Sequence, residues 1–208
     1  MQNVYVVTHA QSEHHLQDRV GGWYDTALSD YGRAQATAVA ARLRGLVAGE
    51  AVDLVSSDLK RAAETAAVIG GALGVTARLD PDFREISYGA AEGKPQAWLD
   101  ERIVPAPEDN RLDHIMIEGA ESKRAFIARV YAATARLSST RDTIIVTHGF
   151  ALTFVIASWI GMREADATHV NFAASPGGIT QLQKGGFFRN RAVAYVNDTS
   201  HLEGLADE

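Results

Sequence analysis

The chain has 208 residues, 46% of them hydrophobic, enough to bury a full core in one domain. Its formal net charge of −6 leaves no basic footprint, which argues against nucleic acid and anionic membrane surfaces as partners while allowing a local cationic pocket for a small anionic substrate. There is no cysteine, so disulfides, thiol catalysis and zinc–thiolate sites are excluded together, and with no basic leader or long apolar segment the simple expectation is a cytoplasmic protein.

Val4–Val7 is a nearly continuous apolar run, the pattern of a strand buried on both faces of a parallel sheet, and it breaks abruptly at Thr8-His9-Ala10. The loop that follows, through about Thr26, carries Arg19, Gly21, Gly22 and Trp23. Ser29 is placed to cap a helix reaching about Val47, with Val39, Leu43 and Leu46 on one face and Gly49 just beyond its end. Val52–Val55 predicts a second strand, and Ser56-Ser57-Asp58 the cap of a helix burying Ala62, Ala66, Ile69 and Leu73. Lys60 and Arg61 in its first turn have the wrong sign for a helix N-terminus. Either an anion sits nearby, or Asp58 and Glu64 compensate on a solvated face; that feature alone favours the solvated face.

Val75–Leu79 predicts a third strand. From Lys94 to about Ala120 the pattern loosens around three prolines, as in a lid or cap insertion hinged at Gly89 and Gly93, or equally a surface loop. Glu121–Leu137 predicts a helix with Phe126, Val130 and Ala133 in register; Thr143–Thr147 is a strand ending on His148, and Gly149–Trp159 a further helix. Ile179–Gln183 and Ala192–Val196 read as a hairpin closing the sheet edge. Alternating βα units predict an α/β fold, a three-layer α/β/α sandwich with a mostly parallel central sheet.

Two buried strands that each finish on a histidine are hard to explain by packing alone. Ligands of open α/β sheets bind beyond the carboxyl ends of the strands, so His9 and His148 are expected to meet there. An imidazole is a reasonable nucleophile near neutral pH. Phosphoryl transfer needs donors around three equatorial oxygens, which Arg61 and a protonated His148 could supply, and a covered Glu85 could protonate the leaving oxygen. One strand-end histidine is more often structural and one glutamate more often solvated; the joint pattern carries the reading.

The blocks THAQSEHH, RVGGWYDTALSDYGRAQA, SSDLKRAAETA, REISYGAAEG, EGAES, IIVTHGF and VNDTSHL, in this order, resemble those of the histidine phosphatase superfamily, which includes the cofactor-dependent phosphoglycerate mutases, over essentially the whole chain. The resemblance implies a single phosphoglycerate mutase-like domain over 1–208. In it His9 would become phosphohistidine, Arg61 would clamp phosphate, His148 would be a second phosphate ligand, and Glu85 the general acid and then the base for water. Arg19 falls where some members contact substrate, and Ser12 near the phosphate loop. The shorter insertion and the REISYGAAEG block point to a metal-independent phosphatase without a cofactor rather than a mutase. A homo-oligomer is left open.

The family's Arg-His-Gly-x-[Ser/Thr]-x-x-Asn signature departs here to Thr8-His9-Ala10 and ends on His15. A bidentate phosphate donor is thereby lost, a change that commonly costs about 10²–10³ in rate. Thr8 and His15 stay as candidate substrate contacts, with His14 and His15 compensating if protonated or idle if exposed. Thr8 also motivates two alternatives, a repurposed enzyme for a less charged or non-phosphate substrate and a non-catalytic binding protein. Four histidines suggest a metal site on ligand type, but adjacent His14 and His15 rarely point at one ion, and no metal is expected.

Overall fold

The computed structural model describes residues 2–47, 51–138, 140–185, 187 and 190–205. Six strands, β1 (Gln2–Thr8), β2 (Val52–Ser56), β3 (Arg78–Leu79), β4 (Asp142–Thr147), β5 (Ile179–Gly185) and β6 (Asn190–Asp198), form one sheet in the order β3-β2-β4-β1-β5-β6. The first four are parallel, and β5 and β6 are the antiparallel hairpin at the edge. The α-helices are α1 (Glu13–Leu16), α2 (Asp30–Val47), α3 (Lys60–Leu73), α4 (Gln96–Asp100), α5 (Lys123–Ala135), α6 (Gly149–Trp159) and α7 (Glu164–Ala167).

Alternation along the central strands builds two cores. Val4, Val6 and Ile145 pack with Phe126, Phe154 and Ile156 of α5 and α6, whereas Tyr5, Val7, Ile144 and Val146 pack with Val39, Leu43 and Ile69 of α2 and α3. Helices thus cover both sheet faces, giving three α/β/α layers and explaining why these strands read as unbroken apolar runs. Among the described residues no helix is long and apolar enough to cross a membrane.

Local chemistry moves several expected boundaries. Ser29 does cap α2, its Oγ accepting from Gly32 N at 2.9 Å, while Gly49 lies outside the described residues. Gly32 is needed because a Cβ there would stand 1.9 Å from the Gln11 carbonyl oxygen. The third strand shrinks to two residues: Gly74, at φ 70°, ends α3, and the Val75 N–H closes that end on Gly70 O instead of joining a ladder. The Ser56-Ser57-Asp58 cap is not observed. Leu59 is the N-cap residue, and Asp25 from the loop between α1 and α2 accepts from Lys60 N at 2.6 Å. Helix α5 begins after Ser122, whose Oγ accepts from Ala125 N, because Glu121 is turned aside to Arg129.

The 94–120 stretch contains α4 and a 3₁₀ turn at Glu108–Asn110. It is anchored by Leu99 packing on Val20 and Ala91 and by Val104 N donating to Met116 O. Its start is tied by Val20 N donating to Lys94 O, and its end packs on Gly89, φ 50°, where a Cβ would lie 2.2 Å from the Gly119 carbonyl carbon.

Candidate active site

Strands β1, β4 and β2 are neighbours, and their carboxyl ends deliver His9, His148 and Ser57 to one place. The His9 and His148 rings stand edge to face with centroids 5.0 Å apart. His148 Nε2 shares a 2.8 Å hydrogen bond with Ser57 Oγ, which accounts for the missing serine cap. His148 Nδ1 is buried with no partner among the described residues.

The protonation of His9 follows from its partners. Nδ1 lies 2.7 Å from the Ala10 carbonyl oxygen, so it carries the proton and Nε2 keeps its lone pair. Nε2 accepts from Arg61 Nε at 3.2 Å. Burial above all, and then the Arg61 cation, hold His9 well below the ordinary imidazole range, and burial does the same to His148.

Arg61 is 1% exposed, so the solvated-face reading of the α3 N-terminus is incorrect. Its Nη1 donates to Tyr24 O and Nη2 to Gly22 O, at 2.9 and 2.7 Å. The supposed compensating acids serve elsewhere: Asp58 forms a bidentate pair with Arg84, and Glu64 accepts from Leu28 N. Burial lowers the Arg61 pKa to about 10, which leaves it charged at neutral pH.

Glu85 accepts through Oε1 from Ile86 N and through Oε2 from Phe150 N, both at 2.9 Å, the second bond capping the start of α6. Burial raises its pKa in spite of these bonds and of Arg61. The backbone beneath it is held by Trp23 Nε1, donating to Glu85 O at 2.8 Å, by Thr147 Oγ1, donating to Phe83 O at 2.8 Å, and most extensively by Arg129. Arg129 of α5 donates to the carbonyls of Asp82, Arg84 and Glu85 at 2.7–2.9 Å and pairs with Glu121 through two 2.8 Å bonds.

Thr8, His9, His14, His15, Arg61 and Glu85 line the floor of one cavity of about 270 Å³. The Thr8 hydroxyl, where the family arginine would be, bonds to no described residue. His15 is exposed at the mouth, its ring stacked on His9 at 5.6 Å and its Nδ1 accepting from Ser12 N. His14 is buried, its Nδ1 between Ser12 Oγ at 2.9 Å and Thr26 Oγ1 at 3.0 Å. Burial, with His15 and Arg61 nearby, lowers the His14 pKa to about 3, so His14 is neither an exposed bystander nor a replacement cation. Burial lowers His15 as well.

Three expected contacts fall away from the cavity lining. The first is His148, which is buried beside His9 with Nε2 on Ser57 Oγ and its pKa lowered by burial, against the protonated phosphate ligand expected there. Ser12 is fully buried with its hydroxyl committed to the histidines, and Arg19 is exposed, donating to Gly93 O at 2.6 Å. Sequence reasoning also missed Ser57, Arg129 and the wall residues Tyr88, Gln96 and Leu99, whose roles arise from tertiary return of the chain. Among the described residues no group of three or more histidine, aspartate or glutamate side chains is arranged to hold a metal ion.

A histidine-centred pocket at the carboxyl end of a sheet covered on both faces thus defines the class, and sequence comparison gives its family. The chain belongs to the histidine phosphatase superfamily (branch 1), whose profile matches residues 4–193. It is 31% identical to the "Probable phosphoglycerate mutase GpmB" of Enterobacter sp. (strain 638), covering 99% of this chain and 97% of that one. The mycobacterial glucosyl-3-phosphoglycerate phosphatase Rv2419c, solved with VO3, superimposes with a TM-score of 0.78 at 26% identity, over 96% of this chain and 100% of the other. The α-ribazole phosphatase from Shigella flexneri shares the fold, with a TM-score of 0.75 at 22% identity over 95% and 96% of the two chains.

Proposed function

We propose that the protein hydrolyses a small phosphate monoester through a phosphohistidine formed on His9. The observation that carries this reading is the fixed tautomer of His9: Nδ1–H is held by Ala10 O, and the Nε2 lone pair stands beside the Arg61 guanidinium. Nε2 attacks phosphorus, the bond from phosphorus to the ester oxygen breaks, and that oxygen takes the proton of Glu85, which burial keeps protonated above the usual carboxylate range. Arg61 and the Thr8 hydroxyl stabilise the equatorial oxygens, with the unpartnered His148 Nδ1 behind His9 as a further neutral donor. The Glu85 carboxylate then takes a proton from water, the water oxygen attacks phosphorus, and the P–N bond breaks. Inorganic phosphate leaves, and both His9 and Glu85 are restored.

Independence from metal and cofactor, a cytoplasmic location and the 94–120 stretch acting as a lid belong to the same reading. Thr8 favours one alternative, a repurposed member acting on a less charged substrate. Phosphate release from a panel of monoesters, wild type against His9→Ala, tests the proposal. Release abolished by the substitution supports it; equal release from both proteins, or none from either, overturns it.

A further inference from the structure

Above the reacting groups the cavity is walled by Val20, Tyr88, Leu99, Ala174 and Pro176, with Gln96 contributing one uncharged amide. Arg61 is the one lysine or arginine among the lining residues, and its three nitrogens are directed to His9, Tyr24 O and Gly22 O. Three cations from neighbouring segments are engaged elsewhere, and Lys60 and Lys94 are exposed and do not line the cavity. Arg19 is held by Gly93 O, Arg84 is paired with Asp58 and lies 4.8 Å over Trp23, and the Lys123 ammonium lies 5.7 Å over the Phe150 ring. Glu85, the acid on the floor, carries its proton in the proposed ground state and so offers a second anion on the leaving group no positive charge.

We propose that this pocket selects phosphate monoesters of uncharged, predominantly apolar alcohols or phenols and discriminates against a leaving group that carries a carboxylate. The inference rests on the phosphatase reading above and adds its substrate class. A carboxylate drawn into this cavity loses water and meets no free counter-ion. An aryl or alkyl group instead displaces water from Val20, Tyr88 and Leu99. The preference separates this chain from what the names of its phosphoglycerate-linked relatives describe.

The test compares phosphate release from phenyl phosphate and 3-phosphoglycerate. kcat/KM is expected to be at least about 100-fold higher for phenyl phosphate, about two decades of discrimination. In Gln96→Arg, a change on partly exposed α4, the ratio is expected to narrow about tenfold through a gain on 3-phosphoglycerate. Equal or higher efficiency on 3-phosphoglycerate in the wild type overturns the inference while leaving the phosphatase reading intact. If neither ester is hydrolysed, that reading is in default, and calorimetric binding of the same two compounds decides the inference separately. Phenyl phosphate binding at least tenfold more tightly supports it; equal affinity, tighter 3-phosphoglycerate or no binding of either refutes it.

Discussion

His14 offers a quantitative check on the electrostatics of the site. Its pKa falls from the ordinary 6.5 to about 3, chiefly through burial. A histidine depressed in the folded state leaves stability intact above the unfolded value. Stability is lost as pH falls through 6.5, because the unfolded chain gains the proton first, and the loss continues until the folded value is reached. At pH 5, about 1.5 units below the unfolded value, the loss is about 2 kcal/mol. Other groups titrate too, including His9 and His148, so the useful quantity is a double difference: urea unfolding of wild type and His14→Gln, each at pH 7 and pH 5. Glutamine keeps polar atoms for Ser12 and Thr26 but cannot titrate. The wild type should lose about 2 kcal/mol more than the variant between the two pH values, close to 1 M in urea midpoint. Identical pH dependence in the two proteins would show that His14 is not held neutral in the fold.

Three further outcomes are expected. Glu85→Gln keeps the cap on α6 but cannot give up a proton, so phosphate release should fall about 10²–10⁴-fold. In wild type kcat/KM should be highest between the lowered His9 pKa and the raised Glu85 pKa and decline above the latter; an unchanged rate in the variant would remove Glu85 from the mechanism. Thr8→Arg should strengthen competitive inhibition by inorganic phosphate about tenfold or more, read as a lower inhibition constant. Gly32→Ala should destabilise the fold by about 2 kcal/mol or more in urea unfolding, since its Cβ would fall 1.9 Å from the Gln11 carbonyl oxygen.

The elements legible in the sequence were those with strong periodicity and burial. The central strands announced themselves because both faces are covered, and ending on histidine placed His9 and His148 at the carboxyl edge before any contact was known. Arg61 and Glu85 were found through the joint pattern. Local reading erred where a side chain's partner lies far along the chain. It assigned the α3 cap to adjacent serines, whereas Asp25 supplies it from 35 residues away. Arg61 was given to solvent because helix-end charge rules see only neighbours in sequence, and its acceptors are the Gly22 and Tyr24 carbonyls. Arg19 and Ser12 lie in the right loop, but side-chain direction there is set by Gly93 and His14.

The anchoring of the 82–85 backbone by Arg129 has a consequence for incompletely folded chains. The floor of the pocket is carried by β1, β4 and α3, whereas the proposed proton donor depends on a guanidinium from α5, 44 residues away from Glu85. On the proposed mechanism, a chain whose α5 has come loose would keep the means to gather phosphate around His9 and Arg61 while losing the most extensive of the holds on the backbone of its acid. Lesions on the distant helix would therefore silence turnover before they abolish affinity, and ligand binding alone would overstate how much of a sample is competent.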